Sequence, residues 1–296
     1  MARGRAQLWQ QRFHKLNDFT HGWLGMVAGA ASKTLGPGSV ISAASIAYFA
    51  IFSLFPLILL SIAIASFSLG SLMDQHLIVQ RLEFIAPALG QLFGENIDEI
   101  ILARGPITIV SLISLIWSAS TILFVLTVTL NGIWGHKRSR PVWKRRGLSI
   151  LFVLIFVGPT LFLASFAGSM ITNLRTWLPV QILPLWGGIG FVVAILLDVA
   201  LFMVLYIFLP RGSSTWRDVF PGAIAAGLLW EVAKKAFLFF VSTYVSLTNL
   251  VYGSVAAIIA ILTWAYLSGL IFLFGAYLSF AYFQKKQQQK EAADPI

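Results

Sequence analysis

Glu231, Lys234 and Lys235 lie within "GLLWEVAKKAFLFF" (227–240), inside a stretch that is otherwise apolar from Pro221 to Val245. One more charge, Asp198, interrupts the preceding apolar run, "FVVAILLDVALFMVLYIFLP" (191–210). A helix advances about 100° per residue, so positions 231, 234 and 235 share an arc of about 100° and form one polar stripe. Glu231 stands N-terminal to Lys235, the favourable order for an i,i+4 pair. Two acids and two bases on consecutive apolar runs have the chemistry to neutralise one another, or to line a route for an ion or polar cargo.

Which of these applies depends on the medium around the helices. Of the 296 residues, 58% are apolar and 11% charged, against roughly 25% charged in an ordinary soluble domain. A soluble fold of this length cannot hide so much apolar surface, so the composition implies an integral membrane protein. The absence of cysteine excludes disulfides, iron–sulfur clusters and thiolate zinc sites. His14, His21, His76 and His136 are scattered and form no metal motif. No cofactor and no metal are expected.

About 20 mostly apolar residues are needed to cross a bilayer. Six stretches qualify: 41–70, 106–134, 147–170, 185–210, 220–245 and 254–283. The expected fold class is therefore all-α, a polytopic six-helix transmembrane domain over 41–283. An N-terminal segment (1–40) precedes it and a short tail (284–296) follows. The first span starts behind a polar, basic lead and reads as a retained signal anchor rather than a cleaved signal peptide.

Lys and Arg in the connections set the orientation. Five fall in residues 1–40, six in 135–147, two in 211–219 and three in the tail. The opposite connections hold only Arg81, Arg104 and Arg175. Both termini and the "HKRSRPVWKRRG" loop are thus expected in the cytoplasm. The formal charge of +10 then reflects topology and contact with anionic lipid headgroups, and no nucleic-acid partner is expected. Association with further copies of the chain stays open.

Two segments outside the spans are amphipathic. Trp9, Phe13, Leu16, Trp23 and Val27 recur at near-helical spacing among basic residues, as in a helix lying along the inner surface. On the other side, the insert 71–105 mixes apolar residues with Glu83, Glu95, Asp98 and Glu99. It is too polar to cross and is expected to lie on the outer face.

Depth gives the charged stripe its significance. If the fifth span begins near Pro221, Glu231 lies about 15 Å inside, at 1.5 Å per residue. Asp198 stands midway between Leu185 and Pro210, at similar depth. An unpaired charge there costs about 2.5–3.5 kcal/mol or more, so Asp198 is expected to face Lys234 or Lys235, turned into the bundle. Whether the cluster clamps two helices or forms a functional site stays open. Pro56 and Pro159, each within a span, are expected to bend their helices, with Ser53 and Thr160 placed to meet freed carbonyls. Gly222, Ala226, Gly227, Ser268, Gly269 and Gly275 permit close helix approach.

"SAASIAYFAIFSLFPLILL", "PGAIAAGLLWEVAKKAF" and "YGSVAAIIAILTWAYLSGLIFLFGAYLS" resemble, in order and spacing, the YihY/BrkB family of bacterial inner-membrane proteins. The resemblance runs from about Leu16 to Phe283. It assigns Tyr48, Ser53 and Pro56 to the family pattern of span 1, and Asp198 and Pro210 to that of span 4. Trp230 and Glu231 match span 5, and Tyr252, Gly253, Ser254, Trp264, Tyr266, Leu267 and Gly275 match span 6. One position departs: members commonly carry an acid after the Gly-Ala near the end of span 6, where this chain has Tyr277.

Members of the family have been labelled both ribonuclease BN and virulence factor. The ribonuclease label fits poorly, because metal-dependent RNA cleavage needs clustered carboxylates or histidines. The expected cytoplasmic acids, Asp18, Asp218, Glu291 and Asp294, are isolated in sequence. The resemblance otherwise implies a membrane role that includes transport of solutes or lipids. The leading expectation is a transporter or flippase-like exporter working through Asp198, Glu231, Lys234 and Lys235. A structural membrane scaffold is the alternative, and an enzyme comes third.

Overall fold

The computed structural model describes residues 22–68, 104–135, 147, 183–210, 215–240 and 254–293. Among these, every regular element is an α-helix: α1 (Trp23–Thr34), α2 (Pro37–Ser68), α3 (Arg104–Ile133), α4 (Leu183–Phe208), α5 (Trp216–Phe240) and α6 (Ser254–Ala293). The expected 71–105 insert lies almost wholly outside the described residues. So do Trp9, Phe13, Leu16, Tyr252, Gly253, Pro159 and nearly all of the 147–170 span.

Helix α6 is the centre of the bundle. It packs against α5 on one side and α2 on the other, while α3 leans on α2, α4 leans on α5, and α1 lies along α6. Glycine permits the closest crossings. A Cβ on Gly222 of α5 would strike the Gly275 carbonyl and Ser279 of α6, and one on Gly275 would strike Gly222, Ala226 and Tyr206. Gly222 and Ala226 are four residues apart, as are Gly275 and Ser279, so each helix presents a small-residue stripe to the other. At the α2–α6 crossing, a Cβ on Gly269 would lie 3.1 Å from the Ala43 Cα. Leu130, Val219, Leu273, Ala223 and Ala276 fill the fully buried centre.

Helix boundaries follow local chemistry. The break between α1 and α2 falls at "TLGPGS", where Thr34 donates to the Ala30 carbonyl at 2.8 Å and Pro37 takes the first helical position of α2. The two helices meet there at 62°. Across the bend, Ser39 donates its hydroxyl to the Lys33 carbonyl at 3.0 Å. Helix α5 begins before Pro221, at Trp216, because Thr215 and Asp218 cap it. The Asp218 carboxylate accepts from the Thr215 N–H at 3.3 Å, and the Asp218 N–H donates to the Thr215 carbonyl at 2.9 Å.

Two helices among the described residues, Gly105–Ile133 and Ile258–Ala292, are long and apolar enough to cross a membrane. The bent pair Trp23–Thr34 and Pro37–Ser53 makes a third if it counts as one span, and Ile195–Phe208 is a shorter apolar helix. Some boundaries differ from expectation. Part of the segment expected to lie along the inner surface is α1, whose Trp23 ring stacks on Tyr282 of α6 at 5.7 Å. Residues 284–293, expected as a tail, continue α6 without a break.

The Ser53 expectation changes as well. Pro56 is buried within an uninterrupted α2. The carbonyl it deprives of an amide partner is that of Phe52, but Ser53 donates to the Ala50 carbonyl at 2.7 Å. Ser53 therefore does not meet the freed group, because an i−3 acceptor on its own turn is closer to hand.

Candidate functional site

The polar site is built where α4 and α5 touch. Gly227, one turn before Glu231, lets the α5 backbone approach α4 so closely that an added Cβ would lie 2.6 Å from Val199 Cγ2. Asp198 is the neighbour of Val199 in sequence, so this contact sets its carboxylate beside the stripe on α5. Lys234 then donates to Asp198 Oδ2 at 3.0 Å and to Glu231 Oε1 at 2.8 Å. One ammonium thus binds across the helix interface and back along its own helix.

The pairing expected for Asp198 is made by Lys234, and Lys235 has an exposed side chain. Positions 234 and 235 are about 100° apart around the helix, so only one of them can share the direction of Asp198. The trio is two carboxylates on one ammonium. Nor is the trio sealed: its side chains are 33% exposed at Lys234, 18% at Asp198 and 9% at Glu231. An ammonium carries three donors, and two of these are spent on the carboxylates.

An aromatic wall runs beside the trio. Trp230 lies 5.1 Å from Trp264 between ring centroids, Phe237 lies 4.8 Å from Trp264, and Phe202 lies 5.9 Å from Trp230. Two residues singled out by family resemblance, Trp230 and Trp264, thus come together although they belong to different helices. Tyr266 is half-buried against the same core. Tyr48 is exposed on α2 beside Phe49, at 5.2 Å.

Three polar contacts escaped the sequence reading. Tyr206, fully buried, donates its hydroxyl to the Phe272 carbonyl at 2.7 Å and so ties α4 to α6. Ser279 donates to the Val219 carbonyl at 3.1 Å. Asp218, buried at the start of α5, receives Lys286 from α6 at 2.5 Å. The Thr-x-x-Asp spacing of "TWRD" was a readable helix-start signal; nothing in sequence marked the partners of Tyr206 or Ser279. Tyr277, the position where the family commonly has an acid, lies 2.9 Å from Ser39 Oγ. Because the single Ser39 proton goes to the Lys33 carbonyl, Tyr277 is the donor in that contact.

Among the described residues, no group of three or more His, Cys, Asp or Glu is arranged to hold a metal ion.

The family model described as "Virulence factor BrkB" matches residues 38–295. A UPF0761 membrane protein of Photobacterium profundum is 28% identical over 263 residues, covering 86% of this chain and 80% of its own. The UPF0761 membrane protein YihY of Salmonella arizonae is 30% identical over 215 residues, covering 71% and 72%. A UPF0761 membrane protein of Ralstonia nicotianae is 33% identical over 177 residues, covering 59% of this chain but 39% of its own. No solved structure matches. A membrane location accords with the apolar helices and with the names of these relatives, and the match over most of its length makes this chain a member of the YihY/BrkB family of membrane proteins.

Proposed function

We propose that this protein is a six-span transporter or flippase-like exporter of the bacterial inner membrane, with both termini in the cytoplasm. Its cargo is a small polar solute or a lipid headgroup, and its route passes the trio of Asp198, Glu231 and Lys234. On this reading it is not an enzyme. The sequence holds no nucleotide-binding motif, so ATP is not its direct energy source.

The observation that carries the reading is the open face of the trio. Asp218 and Lys286 cap the start of α5, and Glu231 lies 13 residues further on, about 20 Å at 1.5 Å per residue. A charge that deep is costly unless it is paired or wetted. A buried ion cluster that serves only as a clamp offsets its desolvation only when every donor and acceptor is satisfied. Here a third of Lys234 stays exposed, and two carboxylates share one ammonium. On this reading a further cation, an amine or a polar headgroup binds at that exposed side of the trio.

A structural scaffold is the second reading, favoured by Lys234 bridging α4 and α5. Reconstitution separates the two. Proteoliposomes are assayed for flipping of fluorescent phosphatidylethanolamine, whose headgroup carries an amine, and for uptake of a panel of labelled small solutes. Carriage predicts that Lys234→Met and Glu231→Gln remove flux from protein that still folds. Unchanged flux per folded molecule, with lowered thermal stability, assigns the trio to the clamp.

A further inference from the structure

A second polar feature lies far from the trio, between α1 and the last turns of α6. It is a trough of about 360 Å³, within the size range of small-ligand sites. On the α1 side it is lined by Gly22, Gly25, Met26, Gly29, Ala30 and Lys33. The spacing of these residues, i, i+3, i+4, i+7, i+8 and i+11, is one face of a helix. Tyr277, Gln284, Lys285 and Gln288 of α6 face them.

The small residues of α1 play a different part here from those of α5. Gly222 and Gly275 are small because backbones touch, whereas a Cβ placed on Gly29 would meet nothing within 4 Å. The α1 stripe therefore leaves room instead of closing it. Cations stand at both ends of that room. A Cβ on Gly22, at the start of α1, would lie 3.2 Å from Lys285 Nζ, and Lys33 lines the end nearer the bend. Gln284 and Gln288 add amides. At the Lys33 end, Tyr277 is anchored by the hydroxyl of Ser39. Among the described residues that line the trough, none is Asp or Glu.

We propose that this trough is a binding site for a phosphate monoanion of the kind carried by an acidic phospholipid headgroup. Lys33 and Lys285 supply the charge, and Gln284 and Gln288 supply hydrogen bonds to the polar part of the headgroup. The setting matches such a ligand. Of the helices that form the trough, α6 is long and apolar enough to cross a membrane, and α1 belongs to the bent pair that makes a further span if it counts as one. The stacked Trp23 and Tyr282 beside it are of the aromatic type enriched at membrane–water boundaries. Lysines near an anionic membrane surface each contribute roughly a fivefold gain in binding. The proposal is independent of the trio and stands whether or not that site carries cargo.

The test is native mass spectrometry of the purified full chain in detergent supplied with equal amounts of phosphatidylglycerol and phosphatidylcholine. Wild type is expected to retain phosphatidylglycerol in preference. The Lys33→Gln/Lys285→Gln double variant is expected to lose that preference by about twenty-five-fold, from two lysine contacts. The Gly29→Leu variant, which fills the trough without altering charge, is expected to lose it as well. Helical circular dichroism confirms that each variant is folded, and the two single lysine variants serve if the double variant is not. A preference that survives either the charge removal or the filling overturns the proposal. Competition with millimolar inorganic phosphate distinguishes the source of the anion. Retention of the lipid supports a headgroup site, whereas displacement by phosphate alone supports the same anion site with free phosphate as its ligand.

Discussion

Gly227 of α5 lies so close to Val199 of α4 that a methyl group on it would sit 2.6 Å from Val199 Cγ2. This contact fixes the distance over which Lys234 reaches Asp198. Gly227→Val is expected to push α4 away from α5, with an overpacking cost of about 1–3 kcal/mol. Thermal unfolding in detergent checks the cost. Flux in proteoliposomes is expected to fall further than Gly227→Ala reduces it, because the larger side chain displaces Asp198 more.

Removing Lys234 leaves two carboxylates facing each other. Lys234→Met is expected to destabilise by about 2 kcal/mol, below the roughly 3–5 kcal/mol for breaking a fully buried pair, because Lys234 is one-third exposed. Adding Asp198→Asn and Glu231→Gln to Lys234→Met is expected to recover most of that loss. A complete thermal-denaturation cycle measures the recovery. Simple additivity would show that the three groups do not act as a unit.

Tyr206 joins α4 to the Phe272 carbonyl from a fully buried position. Tyr206→Phe preserves the ring packing against Phe202 and Phe272 and removes only the hydrogen bond. The expected loss is about 0.6–1 kcal/mol, typical of interhelical hydrogen bonds in membranes. It is read as a small drop in Tm at unchanged helical content.

At the start of α5, Asp218 serves both the Thr215 N–H and Lys286. Asp218→Ala is expected to cost about 1–2 kcal/mol through loss of the cap. Lys286 is more exposed than its partner, so Lys286→Met is expected to cost less than about 1 kcal/mol, and less still at high salt. Chemical denaturation at two ionic strengths separates the two contributions.

Much of this site was readable before the coordinates. Helical spacing put Glu231, Lys234 and Lys235 on one stripe, and span length put Asp198 at matching depth. The choice between Lys234 and Lys235 was not readable, since it depends on the rotation of α5 about its own axis, which the Gly227–Val199 and Gly222–Gly275 contacts fix. Small residues could be named as packing positions, but not by partner, and the same residue types turned out to close one interface and to leave the α1–α6 trough open. Tyr206 within an apolar run looked like filling; only the tertiary fold supplies the Phe272 carbonyl. The docking of α1 on α6 was missed because a stripe of aromatic and small residues reads equally well as facing lipid or facing a helix.

The chain has no native cysteine, which opens the most direct measurement. Lys234→Cys, in sealed membrane vesicles, is treated with the water-borne amine reagent 2-aminoethyl methanethiosulfonate; the cysteine thiolate attacks its sulfenyl sulfur and expels methanesulfinate, leaving a disulfide-linked aminoethyl group with a positive charge near the original one. Val232→Cys, two residues away on an exposed part of α5, is the lipid-facing control. If polar cargo can reach the trio from water, the Lys234→Cys variant is labelled at least about tenfold faster than the control, and the added amine restores part of the lost stability. Labelling no faster than the control, or only after denaturation, would contradict a carrier role for the trio.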